Sequence, residues 1–146
     1  MRTSPVSESA IAVQESAPDF ESAIIEACKL LVADRFVKPG YIDEVLANLA
    51  ALGPYFMVAP QIAIAHAKPS DQVLIPGISL LKLRQPVASG HEIHPEATLI
   101  FAVATPNPTE HVELLGSLAE LLSDSEVMNS LLNASAKSVI WEIFNS

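Results

Sequence analysis

Apolar residues recur at helical spacing in the first third of the chain and at strand spacing in its middle. Ile24, Ala27, Cys28 and Leu31 share one face of a segment that Asp19-Phe20-Glu21-Ser22 caps, which predicts a helix to about Phe36. Lys38-Pro39-Gly40 interrupts it, and Tyr41, Val45, Leu46, Leu49 and Leu52 mark a second helix that Gly53-Pro54 ends. Two short apolar segments follow, split by Pro60, and the second finishes Ile62-Ala63-Ile64-Ala65-His66 before Lys68-Pro69 stops further pairing. Residues 77–83 alternate imperfectly and predict a strand. Residues 97–104 are nearly all apolar, the pattern of a strand covered on both faces, and the polar stretch 85–96 between them predicts a turn.

Asn107-Pro108-Thr109-Glu110 is a strong helix start, and Val112, Leu115, Leu118, Ala119 and Leu122 form its apolar stripe. Ser123-Asp124-Ser125-Glu126 fits a capping box for another helix to about Asn133. A last helix from about Ala136 to Phe144 is expected to bury Val139, Ile140 and Ile143. Helices, then strands, then helices predict an α/β fold: a three-layer α/β/α sandwich with a central mixed β-sheet.

Length adds one domain to this picture. Residues 1–18 are rich in Ser, Glu and Ala with two prolines, and are expected to be a disordered tail, leaving residues 19–146 as the folded unit. Half of the 146 residues are hydrophobic and 17% are charged, a globular composition. The net charge of −9 with scattered basic residues excludes a concentrated phosphate-neutralising face, so no nucleic-acid partner is expected; an acidic surface suits a basic protein partner instead. No apolar run approaches the ~20 residues that span a bilayer, and no secretory signal is visible. Cys28 is the only cysteine, which fits a reducing compartment, and its apolar neighbours mark a buried structural thiol.

The four histidines are the obvious chemical groups. His91 and His94 lie in the polar stretch with two residues between them, a weak metal spacing and more simply a solvated loop. His66 ends an apolar strand; residues alone fit a satisfied structural histidine as well as a group held on a rigid base at an open edge. His111 falls in the first turn of the helix after the central strand, where free backbone N–H groups and the helix dipole favour an anion.

The segment Gly53-Pro54-Tyr55, followed by Ala59-Pro60-Gln61-Ile62-Ala63-Ile64-Ala65-His66-Ala67-Lys68-Pro69, resembles the active-site stretch of the EIIA domains of the sugar phosphotransferase system, in the mannitol/fructose superfamily. The resemblance runs from about Phe20 to the C-terminus. It implies a cytoplasmic phosphocarrier in which His66 accepts a phosphoryl group from the phosphocarrier protein HPr, as a tele-phosphohistidine, and passes it to a cysteine of an EIIB domain serving a membrane EIIC. His111 would stabilise the phosphoryl group. The resemblance implies no cofactor and no metal, and leaves open a homodimer and a purely regulatory EIIA-like role. Ala65 and Lys68 depart from the proline and arginine that many members carry, and Leu49-Ala50-Ala51 replaces the Arg-Glu pair common in mannitol- and fructose-type members. The absence of that Arg-Glu pair, with Gly53-Pro54-Tyr55, tilts the resemblance towards the ascorbate-type branch.

Overall fold

A computed structural model describes residues 6–144. Five strands form one mixed sheet in the order β1-β4-β5-β3-β2, with β1 at Val6–Gln14, β2 at Met57–Ala59, β3 at Gln61–His66, β4 at Gly77–Ala88 and β5 at Glu96–Ala104. β1 runs parallel to β4, β4 antiparallel to β5, β5 parallel to β3, and β3 antiparallel to β2. Helices α1 (Phe20–Ala33) and α2 (Gly40–Leu52) precede β2, and α3 (Pro108–Leu122), α4 (Ser125–Asn133) and α5 (Lys137–Phe144) follow β5.

Strand alternation divides the core into two layers, which gives the expected α/β/α sandwich. Ala63, Ala65, Leu81, Ile100 and Ala102 face α1 and α2, where they meet Ile24, Cys28, Leu31, Tyr41 and Val45. Ile62, Ile64, Leu80, Leu99, Phe101 and Val103 face the opposite way, against Leu118, Leu131, Ile140 and Phe144. Cys28 is fully buried, and burial pushes its thiol up to about 12, so it is an inert core residue as its neighbours implied.

The expected tail is corrected by β1. Residues 6–14 form an edge strand whose partners on β4 run from Ile78 to Leu83, and Val6, Ala10 and Ile11 are buried. Serine-rich composition hid it because a parallel edge strand is held through its backbone, and a register shift between Val6 and Ile11 breaks the period-two signal. Ser7 and Ser9 both donate to the Asp34 carboxylate, at 3.0 and 2.7 Å, so polar side chains also tie the strand to the end of α1. The part of the tail before Val6 lies outside the described residues.

One further expectation changes. β4 continues through the polar stretch to Ala88, with exposed Arg84, Gln85 and Pro86 at an irregularity between Lys82 and Val87 that accommodates the proline. Lys82 points inward with Ile78 and Leu80. Its ammonium donates to the carbonyls of Leu131, Leu132 and Ala134 at 2.6, 2.7 and 2.9 Å, and so caps the C-terminus of α4 from within the sheet.

Candidate active site

β3 is flanked by β5 and β2, and its last residue is His66. The backbone at this point is tied on several sides. The buried hydroxyl of Tyr41 accepts from the Ala67 amide at 3.0 Å and donates to the Val103 carbonyl at 2.6 Å, joining the ends of β3 and β5. Burial raises the Tyr41 pKa, so the phenol keeps its proton for that bond. Asn48 of α2 donates to the His66 carbonyl at 3.4 Å.

The His66 ring is half-buried, with Tyr55 edge-on at 5.7 Å and Phe56 at 5.5 Å between centroids. Its Nδ1 lies 3.0 Å from the Ile64 carbonyl oxygen. A carbonyl only accepts, so the neutral ring carries its proton on Nδ1 and leaves the lone pair on Nε2.

His111 comes from the next parallel strand's continuation. After β5 the chain passes Thr105 and turns into α3, whose cap Asn107 accepts from the Glu110 amide at 2.9 Å. The two imidazoles stand 5.6 Å apart, so the residues singled out in the sequence are brought together although 45 positions separate them in the chain (111 − 66). Thr105 Oγ1 is 2.9 Å from His111 Nδ1. The His111 pKa is held below the usual histidine value, first by burial and then by His66. At the start of α3 the Glu110 amide goes to Asn107 Oδ1 and the His111 amide to the Asn107 carbonyl, so His111 itself offers its ring.

An apolar groove of about 440 Å³ adjoins His66, which lines it together with Val58, Ile62, Ile64, Leu115 and Leu122. Val58 on its rim is half exposed. A nucleophilic nitrogen beside an apolar depression, with a second imidazole at hand, can hold a transferring group while a protein surface covers it.

His91 and His94 lie apart from this centre. Their rings stack at 5.3 Å, and His91 Nδ1 accepts from the Ile93 and His94 amides at 3.1 and 3.0 Å, which fixes a loop turn. Among the described residues no group of three His, Cys, Asp or Glu could hold a metal ion.

Residues 4–146 match the family described as phosphoenolpyruvate-dependent sugar phosphotransferase system, EIIA 2. The chain belongs to this EIIA family. It is 29% identical over 135 residues to the ascorbate-specific PTS system EIIA component of Mycoplasma pneumoniae, covering 92% of this chain and 85% of that one. It is 30% identical over 138 residues to the mannitol-specific cryptic phosphotransferase enzyme IIA component of Escherichia coli K12, covering 94% and 93%. The solution structure of a mannitol-specific cryptic IIA enzyme from Escherichia coli superposes with a TM-score of 0.85 at 29% identity, covering 95% of this chain and 94% of the other. The family match begins at residue 4, which includes β1 in the EIIA domain. Among the described residues no helix of this EIIA component is long and apolar enough to cross a membrane.

Sequence reasoning passed over three residues that hold His66 and His111 in place. Tyr41 carried a helical apolar signal that concealed its hydroxyl, while Asn48 and Thr105 stood in no pattern at all.

Proposed function

We propose that His66 is the phosphoryl acceptor of this EIIA component and that Nε2 is the reacting atom. The observation that carries the reading is the Nδ1 contact with the Ile64 carbonyl, which reserves the Nε2 lone pair. Phospho-HPr is the donor. As Nε2 bonds to phosphorus, the donor's P–N bond breaks and its electron pair stays with the donor histidine.

The product ring carries phosphorus on Nε2 and hydrogen on Nδ1, so it is cationic and the Ile64 carbonyl faces that charge. An EIIB cysteine thiolate then attacks phosphorus, the Nε2–P bond breaks, and His66 leaves as neutral imidazole with its proton still on Nδ1. No proton has to move for the ring to depart, which keeps the transfer potential high. His111 donates a hydrogen bond to the phosphoryl oxygens as charge spreads over them. The apolar groove beside His66 receives HPr and EIIB in turn, in the cytoplasm, and the route serves uptake of an ascorbate- or mannitol/fructose-type substrate through EIIC.

Incubation with phospho-HPr tests this. One acid-labile, alkali-stable phosphate on His66 is expected, carried on Nε2 by phosphorus–nitrogen coupling in NMR. Label persisting in His66→Ala rules out the assignment.

A further inference from the structure

We infer that Thr105 is a positioning residue for His111: its hydroxyl donates to Nδ1, holds the neutral ring as the Nε2–H tautomer, and so supplies the proton-bearing nitrogen that the transferring phosphoryl group needs. The inference rests on the phosphocarrier reading for its purpose, but the tautomer stands on geometry.

Thr105 Oγ1 and His111 Nδ1 are 2.9 Å apart, and the direction of that bond follows from the surroundings. Thr105 is 1% exposed, and among the described residues its hydroxyl has no hydrogen-bond partner besides His111. If the hydroxyl accepted a proton from Nδ1, its own O–H would be buried with nowhere to point. A buried donor without a partner is the more costly defect, whereas an oxygen lone pair left over is tolerated. His111 itself is half-buried, so an Nε2–H has room to meet solvent or a ligand.

The burial that lowers the His111 pKa keeps the ring neutral at neutral pH, so it carries one proton and the tautomer matters. The two imidazoles then play complementary parts. A carbonyl at Nδ1 makes His66 a lone-pair donor at Nε2, and a hydroxyl at Nδ1 makes His111 a hydrogen-bond donor at Nε2. The chain sets opposite tautomers on two histidines 5.6 Å apart by the choice of what each Nδ1 meets.

The test is the ¹⁵N spectrum of the imidazoles at pH 7.5 in the full chain, for wild type, Thr105→Val and Thr105→Ser. The expected result is a pyridine-like Nδ1 and pyrrole-like Nε2 for His111 in wild type and in Thr105→Ser, and a shift towards the Nδ1–H form in Thr105→Val. Transfer from phospho-HPr should slow by roughly three- to tenfold in Thr105→Val, the size of one net hydrogen bond, and recover in Thr105→Ser. A wild-type His111 with its proton on Nδ1 overturns the inference, and does so even if Thr105→Val does not fold. An unchanged tautomer in folded Thr105→Val also overturns it. Failure of the wild type to take phosphate while the tautomers behave as expected would remove the phosphocarrier reading and leave the Thr105 assignment standing.

Discussion

The Tyr41 hydroxyl donates to the Val103 carbonyl at 2.6 Å, and the same oxygen accepts from the amide that follows His66. A single fully buried phenol on α2 therefore fixes where β3 ends relative to β5. Tyr41→Phe leaves an amide and a carbonyl unpartnered in the core, and should lower stability by about 1–3 kcal/mol in urea unfolding. His66 should still be labelled, because the acceptor atom is untouched. Wild-type stability in that variant would show that these groups find other partners.

His111 should differ in kind from His66. His111→Ala is expected to remain labelled by phospho-HPr, with transfer slowed by about a hundred- to a thousandfold, the range for losing one donor to a developing anion, ~2.7–4 kcal/mol. His111→Gln can keep a donor and should fall between alanine and wild type. Single-turnover rates for both transfer steps decide the matter, and wild-type rates in His111→Ala would reduce the residue to a surface histidine.

The lowered His111 pKa gives a pH prediction with a definite sign. Below its unfolded value of about 6.5 the unfolded chain takes up a proton that the folded chain resists, so stability falls as pH drops from there towards the folded pKa. Denaturant midpoints between pH 7.5 and 5 should decline less steeply in His111→Gln. Phosphorylation of His66 should raise the His111 pKa, since a nearby dianion favours imidazolium, and an NMR titration of the phosphorylated protein reads that directly.

Lys82→Met should destabilise the fold by about 2 kcal/mol, because three carbonyls at the end of α4 lose a charged donor. The urea midpoint measures it. A neutral outcome would mean that water replaces the ammonium there without penalty.

Deletion of residues 1–14 removes an entire edge strand, so the thermal midpoint should drop and the β4 edge should become open to pairing with other chains. A truncated chain that melts like the full one and stays monomeric would show β1 to be dispensable.

The layers of the fold were legible where side chains reported burial on both faces, as in β5, or on one helical stripe, as in α1. They were not legible where the backbone did the holding. β1 has serines and a glutamate between its few buried residues, and no periodicity survives its register shift. Apolar stripes also overstated burial, since Val112 and Val139 remain 71% and 45% exposed on α3 and α5. At the site, the two histidines could be named from the chain, but their common location depended on β3 and β5 lying side by side in parallel. No role attached to Lys82 in the sequence, which does not reveal three carbonyls arriving from fifty residues away.

The partner of His66 Nδ1 is a main-chain oxygen, and that has a consequence for how the site can vary. Every residue type at position 64 would present the same carbonyl, so which nitrogen of His66 is left free is insensitive to substitution there. The tautomer of His66 is inherited from the strand's path. Altering it would require β3 to bend or slip, a change in the sheet itself, and a scan of side chains around the site would pass over the group that sets the tautomer.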